Sequence, residues 1–276
     1  MRLRKRLIDI LEPLCVGHVV REVRIGLGYT AVQLDDGRTG VAYTLGRDQM
    51  KGCTAFSGNR PIAGSPAQDV LRYLDSEGLV ECALGLATGN AITNRAPSHG
   101  ATGDVLKSVE LFPSDSVAMV GFFAPLVAEL QDRVAELEIF EEHAGVLPHL
   151  RRSSEAVSAI PKCDVAFITS TTIINDTVDE LLESAQDCRE VVLVGPSTPL
   201  ITEAFEGTLT TWLSGIAVDD SDGLLRLVSE GGGTRLFRPF VTKWNIPIRH
   251  DAVATSTANA PKLMKGGGTS EARQTC

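Results

Sequence analysis

"DVAFITSTTIINDT", residues 164–177, opens on the short apolar run Val165–Ile168, and its last nine residues hold four threonines, a serine, an asparagine and an aspartate. An unbroken apolar run predicts a strand covered on both faces; strict alternation would instead mark one face open to water. The polar cluster then falls at the carboxyl end of that strand. Part of it belongs to the next helix, since Thr177 and Glu180 predict a capping box for "VDELLESAQDC", with Asp176 also serving the helix start. Thr169 to Asn175 remain, a longer polar segment than a short strand-to-helix connection needs. Ile173 and Ile174 are expected to pack inward, leaving Ser170, Thr171, Thr172 and Asn175 to face a ligand.

Outward from this stretch the same pattern recurs. "VAMVGF" (117–122), "AELEIF" (135–140), "VVLVG" (191–195) and "LSGIAV" (213–218) are apolar runs, separated by helix-length segments such as "PLVAELQDRVAEL" and "PLITEAFEG". Repeated strand–helix units of this spacing predict a doubly wound parallel sheet. "GGGTRLF" (231–237) is expected to add a last strand.

The first hundred residues read differently. The opening "MRLRKRLIDILEPLCV" places Leu3, Leu7, Ile10, Leu11 and Leu14 on one helical stripe, while Asp9 and Glu12 interrupt what would otherwise resemble a signal peptide. "VVREVRIGLGYTAVQLDDGRTGVAYTL" (19–45) alternates loosely around the turn dipeptide Asp36-Gly37, which predicts an antiparallel hairpin. "SPAQDVLRYL" (65–74) predicts a helix with Ser65 as N-cap and Pro66 at its first position, and a further helix starts near Leu79. The expected organisation is a small α+β domain over 1–108, a Rossmann-like α/β domain over 109–245 and a flexible tail over 246–276.

The totals exclude several functions. With 276 residues, a net charge of −9 and a pI near 5.1, the chain lacks the basic footprint of a nucleic-acid-binding protein. No run of eighteen apolar residues predicts a membrane span. Six well-separated cysteines without a CxxC fit reduced thiols in a cytoplasmic protein. The oligomeric state is left open.

In a parallel sheet, ligands bind outside the carboxyl ends of the strands. "GFFAP" (121–125) has the position of a dinucleotide fingerprint, but Phe123 stands where its second glycine belongs and would obstruct a pyrophosphate, so no bound NAD is expected. "GPSTP" (195–199) offers Thr198 as N-cap and Pro199 at a first helical position, either an anion site at a helix start or simply a well-made turn. "FEEH" (140–143) brings Glu141, Glu142 and His143 together, which suits a metal, an acid–base pair or, more plainly, solvated charge. Lys51 beside Cys53 would lower that thiol's pKa, whereas the plainer reading of Cys53 is a small buried hydrophobe. Asn90 and Asn94 lie four apart on one helix face, directed at a cleft or at a neighbouring loop.

Taken in order, "GLGYT" (26–30), "KGC" (51–53), "LGLATGNAITN" (84–94), "VAMVGFFAPLV" (117–127), "CDVAFITSTTIIN" (163–175), "VVLVGPSTPL" (191–200) and "LSGIAV" resemble the "putative heavy-metal chelation" family. Its members join an enolase-N-terminal-like domain to a Rossmann-like domain. The resemblance spans roughly residues 1–240. It implies a binding cleft between the two domains, lined by Gly28, Tyr29, Cys53, Asn90, Glu141, Thr171, Asn175, Gly195, Pro196, Ser197, Thr198 and Pro199. The expected function is binding of a small anionic ligand, a heavy-metal ion or a metal chelate, with Cys53, Glu141 and His143 as metal ligands. The alternative is an enzyme that uses Glu141 as its acid or base.

Overall fold

The computed structural model describes residues 2–45, 54–142 and 150–248. Cys53, His143 and nearly all of the tail expected over 246–276 lie outside them.

The chain opens with helix α1 (Leu3–Leu11), which buries Leu3, Leu7 and Leu11 as its periodicity predicts. Beyond Leu11 the backbone tightens into a 3-10 turn over Glu12–Cys15, where Pro13 has no N–H to continue the α ladder. There Cys15 turns inward, and Leu14, expected on the buried stripe, is 51% exposed. Strands β1 (Val20–Ile25), β2 (Tyr29–Leu34) and β3 (Thr39–Tyr43) form an antiparallel meander in that order. Gly37 takes φ +86° at the expected Asp36-Gly37 turn.

Helix α2 (Ala67–Leu71) begins one residue later than predicted. Pro66 occupies the cap position, and the Ser65 hydroxyl bonds Pro61 O instead of the helix start. Helix α3 (Leu79–Ile92) is apolar or small all round, and nearly every residue is buried. Its first turn carries the buried carboxylate of Glu81, which accepts hydrogen bonds from the Ser57 N–H and hydroxyl, each at 2.7 Å. Burial pulls the Glu81 carboxyl upward, but the Ser57 bonds outweigh it and hold the group below its ordinary value of 4.5. A depressed carboxyl stabilises the fold above its unfolded pKa, and this contribution is lost as the pH falls through the folded value. Glu81→Gln is therefore expected to lower stability at neutral pH and to flatten the acid limb below pH 4.5, as read by urea unfolding across that range.

The second unit is an eight-stranded sheet. Its strands are β4 (Ala101–Thr102), β5 (Ser116–Val120), β6 (Glu136–Glu141), β7 (Leu150–Arg152), β8 (Val165–Thr169), β9 (Glu190–Val194), β10 (Trp212–Val218) and β11 (Val241–Pro247), in the order β4-β11-β10-β9-β8-β5-β6-β7. The six strands from β10 to β7 are parallel, while at one edge β11 runs antiparallel to β10 and the two-residue β4 antiparallel to β11. Counted along the chain from β5, the parallel strands take the doubly wound order 3-2-1-4-5-6, as the Rossmann-like reading requires. All five apolar runs of the sequence are strands. The extra strand, however, is β11 and not "GGGTRLF", where Thr234–Leu236 form a 3-10 turn.

Helices α4 (Ala124–Leu130), α5 (Ala156–Ala159), α6 (Val178–Ser184) and α7 (Ser221–Ser229) flank the sheet. The pleat divides each central strand between two cores. Val117, Met119, Val165, Phe167, Val192 and Val194 face one side, with Val127 and Leu130 of α4. Ala118, Val120, Ala166, Ile168, Val191 and Leu193 face the other, and that core continues without a break into α1 and α3. A third, smaller cluster packs Leu224, Leu225 and Val228 of α7 on Tyr29, Ala31 and Val41. The two units are thus joined by shared apolar packing.

Candidate functional site at the carboxyl edge of the sheet

The winding of the sheet reverses between β5 and β8, so the connections leaving these neighbouring strands diverge, and their carboxyl ends are the switch point at which sheets of this order bind ligands. Gly121 follows β5 with φ +93°, and a methyl group on it would meet Thr169 Cβ at 2.9 Å. Gly195 follows β9 with φ +125°, and a methyl there would come within 3.2 Å of the Ser170 hydroxyl. The Phe123 ring stands beside both glycines, 3.4 and 3.9 Å from the two positions. An aromatic ring thus fills the ground that a pyrophosphate takes in dinucleotide-binding sheets of this order.

After β8 the chain makes a 3-10 turn over Ser170–Ile173, capped by Thr169, whose hydroxyl accepts from Thr171 N. The turn binds most of its own polar atoms. The Thr169 and Thr171 hydroxyls are 3.0 Å apart, Thr172 donates to Thr169 O and Ser170 donates to Val194 O. Ile173 and Ile174 are fully buried, as expected. The capping box is not formed. Thr177 is αR, its hydroxyl donates to Asn175 Oδ1 at 2.8 Å, and Asp176 takes φ +63°. The α1 helix supplies the competing partners. Asp179 accepts from Leu3 N, Asp176 pairs with Arg2, and the buried Arg4 donates from Nε to Ile173 O at 2.6 Å and from Nη2 to Ile174 O.

Beyond β9 no helix starts at Pro199; the next turn is a 3-10 segment at Thr202–Phe205. The helix-start anion site is therefore corrected, because Thr198 N bonds back to Gly195 O in a tight turn that holds Pro196 and Ser197. Ser197 Oγ accepts from Tyr43 N at 2.8 Å, and Asn90 donates to both Val41 O and Ser197 O, at 2.8 and 3.2 Å. Asn94 pairs with both backbone groups of Val218. These amides tie the small domain to the sheet. Asn90 Oδ1 and Thr198 Oγ1 remain buried without partners among the described residues.

Glu141, at the end of β6, accepts from Phe122 N and Glu142 N, each at 2.9 Å, so its carboxylate is fixed beside the backbone that leaves β5. Tyr29 lies elsewhere, edge-on to Tyr43 and Phe237 in the α7 cluster. Burial, with Tyr43 alongside, pushes its hydroxyl well above the ordinary tyrosine value. Gly28 forms the tip between β1 and β2 and accepts from Thr44 N. Thr171 and Gly195 thus lie at the carboxyl ends of β8 and β9, Glu141 ends β6 on the far side of β5, the interdomain seam holds Asn90 and Ser197, and Asn175 is exposed beside α6.

The donor set can be tested for a metal. Among the described residues, ligand atoms of His18, Asp35 and Asp36 come within 4.8 Å of one another, a trio absent from the sequence reading because only β1–β2 pairing joins it. Arg38 donates to His18 Nε2 at 2.9 Å and to Asp36 at 2.6 Å. A guanidinium can only donate, so His18 carries its proton on Nδ1, directed at Asp35. That proton and the adjacent cation oppose a metal there. At the strand ends, a carboxylate such as that of Glu141 has oxygens a hard cation could use, whereas threonine hydroxyls suit the oxygens of a chelator better than the ion itself.

A family model described as "Putative heavy-metal chelation" (DUF364) matches residues 104–247, just over half of the chain. The chain belongs to the DUF364 family. A second model with the same description (DUF4213) matches residues 8–93, the small unit that precedes the DUF364 region. An uncharacterized protein of Methanocaldococcus jannaschii is 25% identical over 255 residues, covering 89% of this chain and 96% of its own length. A DUF364 protein of unknown function from Pyrococcus horikoshii superposes with a TM-score of 0.80 at 23% identity, covering 89% of this chain and 100% of its own. Another from Desulfitobacterium hafniense gives 0.69 at 22%, covering 88% and 98%. At these identities, the likeness to the two DUF364 structures concerns the fold. Among the described residues, no helix is long and apolar enough to cross a membrane.

Proposed function

We propose that this protein binds a small metal-bearing ligand, a heavy-metal ion or its chelate with a compact oxygen-rich anion, in the crevice at the carboxyl ends of β5, β8 and β9. The observation that carries this reading is the reversal of the strand order between β5 and β8, where the threonine turn and Gly121 meet with the fixed Glu141 carboxylate one strand away. Thr171 and the Gly195–Thr198 turn would hold the chelator's oxygens, while Glu141 meets the metal. Cys53 and His143 are proposed as further ligands. His143 follows Glu141 by two residues, and the chain leading to Cys53 leaves β3 at Tyr43, which bonds Ser197.

Glu141 spends both carboxylate oxygens on backbone N–H groups, which favours a ligand or positioning role over proton transfer. Titration calorimetry of the full chain against zinc, nickel and cadmium, alone and as citrate complexes, tests the reading. Binding is expected for at least one, with affinity weaker in Glu141→Gln by at least the roughly 10- to 100-fold that loss of an outer-shell partner costs. No heat with any of them, or an unchanged Glu141→Gln, would overturn it.

A further inference from the structure

The opposite edge of the sheet carries two cysteines that the crevice does not use. β8 and β9 pair in parallel with Val165 beside Glu190, and Arg189 N donates to Asp164 O at 2.7 Å just before the strands begin. Cys163 and Cys188 each stand two residues before these paired positions, where the two segments enter the sheet side by side. The thiols agree with this placement. Cys163 Sγ donates to Ala159 O at 3.6 Å and Cys188 Sγ to the next carbonyl, Ile160 O, at 3.5 Å. Both side chains pack against the same core. A cavity of about 160 Å³, lined by Ser116, Glu136, Glu138, Arg151 and Lys162, reaches Cys163 from the surface.

We propose that Cys163 and Cys188 form a two-thiolate site for a divalent soft cation of the mercuric class. Two sulfurs held on consecutive carbonyls just before adjacent strands suit the linear, two-coordinate geometry of such an ion, and soft thiolates select it over hard cations. Binding forms two metal–sulfur bonds and releases both thiol protons to solvent, so the divalent complex is neutral. Neutrality matters here. Burial, with Glu138 and Glu136 nearby, pushes the Cys163 thiol up to about 11, and burial, with Cys163 nearby, pushes Cys188 up to about 12. A monovalent ion would leave a net anion in surroundings that already resist one, whereas a divalent ion leaves none. This inference is independent of the crevice, since the pair lies at the amino ends of the strands.

The test uses the full reduced chain carrying Cys53→Ser and Cys276→Ser. Mercuric ion is added with excess glutathione, which strips it from isolated thiols. One equivalent is expected to remain bound, with Cys163 and Cys188 alkylated by iodoacetamide more slowly than in the metal-free chain, as read by peptide mapping. After gel filtration removes glutathione and its mercury complex, the sulfur-to-mercury absorption band of the protein should be lost in Cys163→Ala and in Cys188→Ala but kept in Cys15→Ala. Mercury retained without protection of these two cysteines, or none retained, would overturn the proposal, and the mapping holds even if a variant fails to fold.

Discussion

Arg4→Ala is expected to lower stability by about 3 kcal/mol or more, the scale for removing a buried charged donor and stranding its acceptors. Arg4 is only 7% exposed, although it lies on α1. Its guanidinium serves Ile173 O and Ile174 O, which end the 3-10 turn after β8, and its Nε lies 3.6 Å from Asp176. Without it, two inward-facing carbonyls and part of the Asp176 carboxylate lose their partner. The turn that positions Thr171 then loses its tie to α1. Arg4→Lys keeps the charge but not the fork, so it should recover only part of the loss. Urea unfolding midpoints at unchanged slope would measure both variants, and a loss below about 1 kcal/mol for Arg4→Ala would show that the turn holds itself.

Gly40→Ala should be comparably severe. A methyl group on Gly40 would lie 2.1 Å from Ala91 N, 2.4 Å from Ala87 O and 2.5 Å from Asn90 C, all backbone of α3. Backbone cannot rotate away as a side chain can, so α3 must shift off β3, carrying with it the Asn90 amide that joins Val41 to Ser197. Overpacking costs about 1–3 kcal/mol where side chains yield, and this site belongs at or above the top of that range. Gly28→Ala is the control. Open space surrounds its added methyl, and stability should stay within about 0.5 kcal/mol. Thermal unfolding of the two variants side by side separates close packing from a general intolerance of alanine in this domain.

The sheet was legible in the sequence because its strands are buried on both faces. An apolar run such as Val191–Val194 has no polar face to confuse its period. Helix starts were less legible, because a cap is a local preference that tertiary partners override. Thr177 matches the capping pattern, yet Asn175 takes its hydroxyl and Leu3 N takes Asp179, both set by the docking of α1. Pro199 has the sequence of a first helical residue, but Thr198 N closes a turn onto Gly195 and the chain stays irregular to Ile201. Arg4 left a faint trace as a charged residue in line with Leu7 and Leu11 on the apolar stripe of α1. Nothing in the sequence marks Gly40, whose role exists only because α3 passes across it.

The crevice was legible as a list of strand ends but not as a geometry. Which ends meet depends on the strand order, and the reversal between β5 and β8 singles out Gly121, Thr169 and Thr171 from four candidate loops. Asn90 and Ser197 have residue types suited to a ligand, but their hydrogen bonds join the two domains.

The most direct test is an anomalous difference map from crystals of the full chain grown with zinc and citrate. The account predicts a zinc peak within bonding distance of the Glu141 carboxylate, with citrate density against Thr171 and the Gly195–Thr198 turn. Crystals whose zinc peaks all lie away from Glu141, with the β5–β8 crevice holding only solvent, would contradict it.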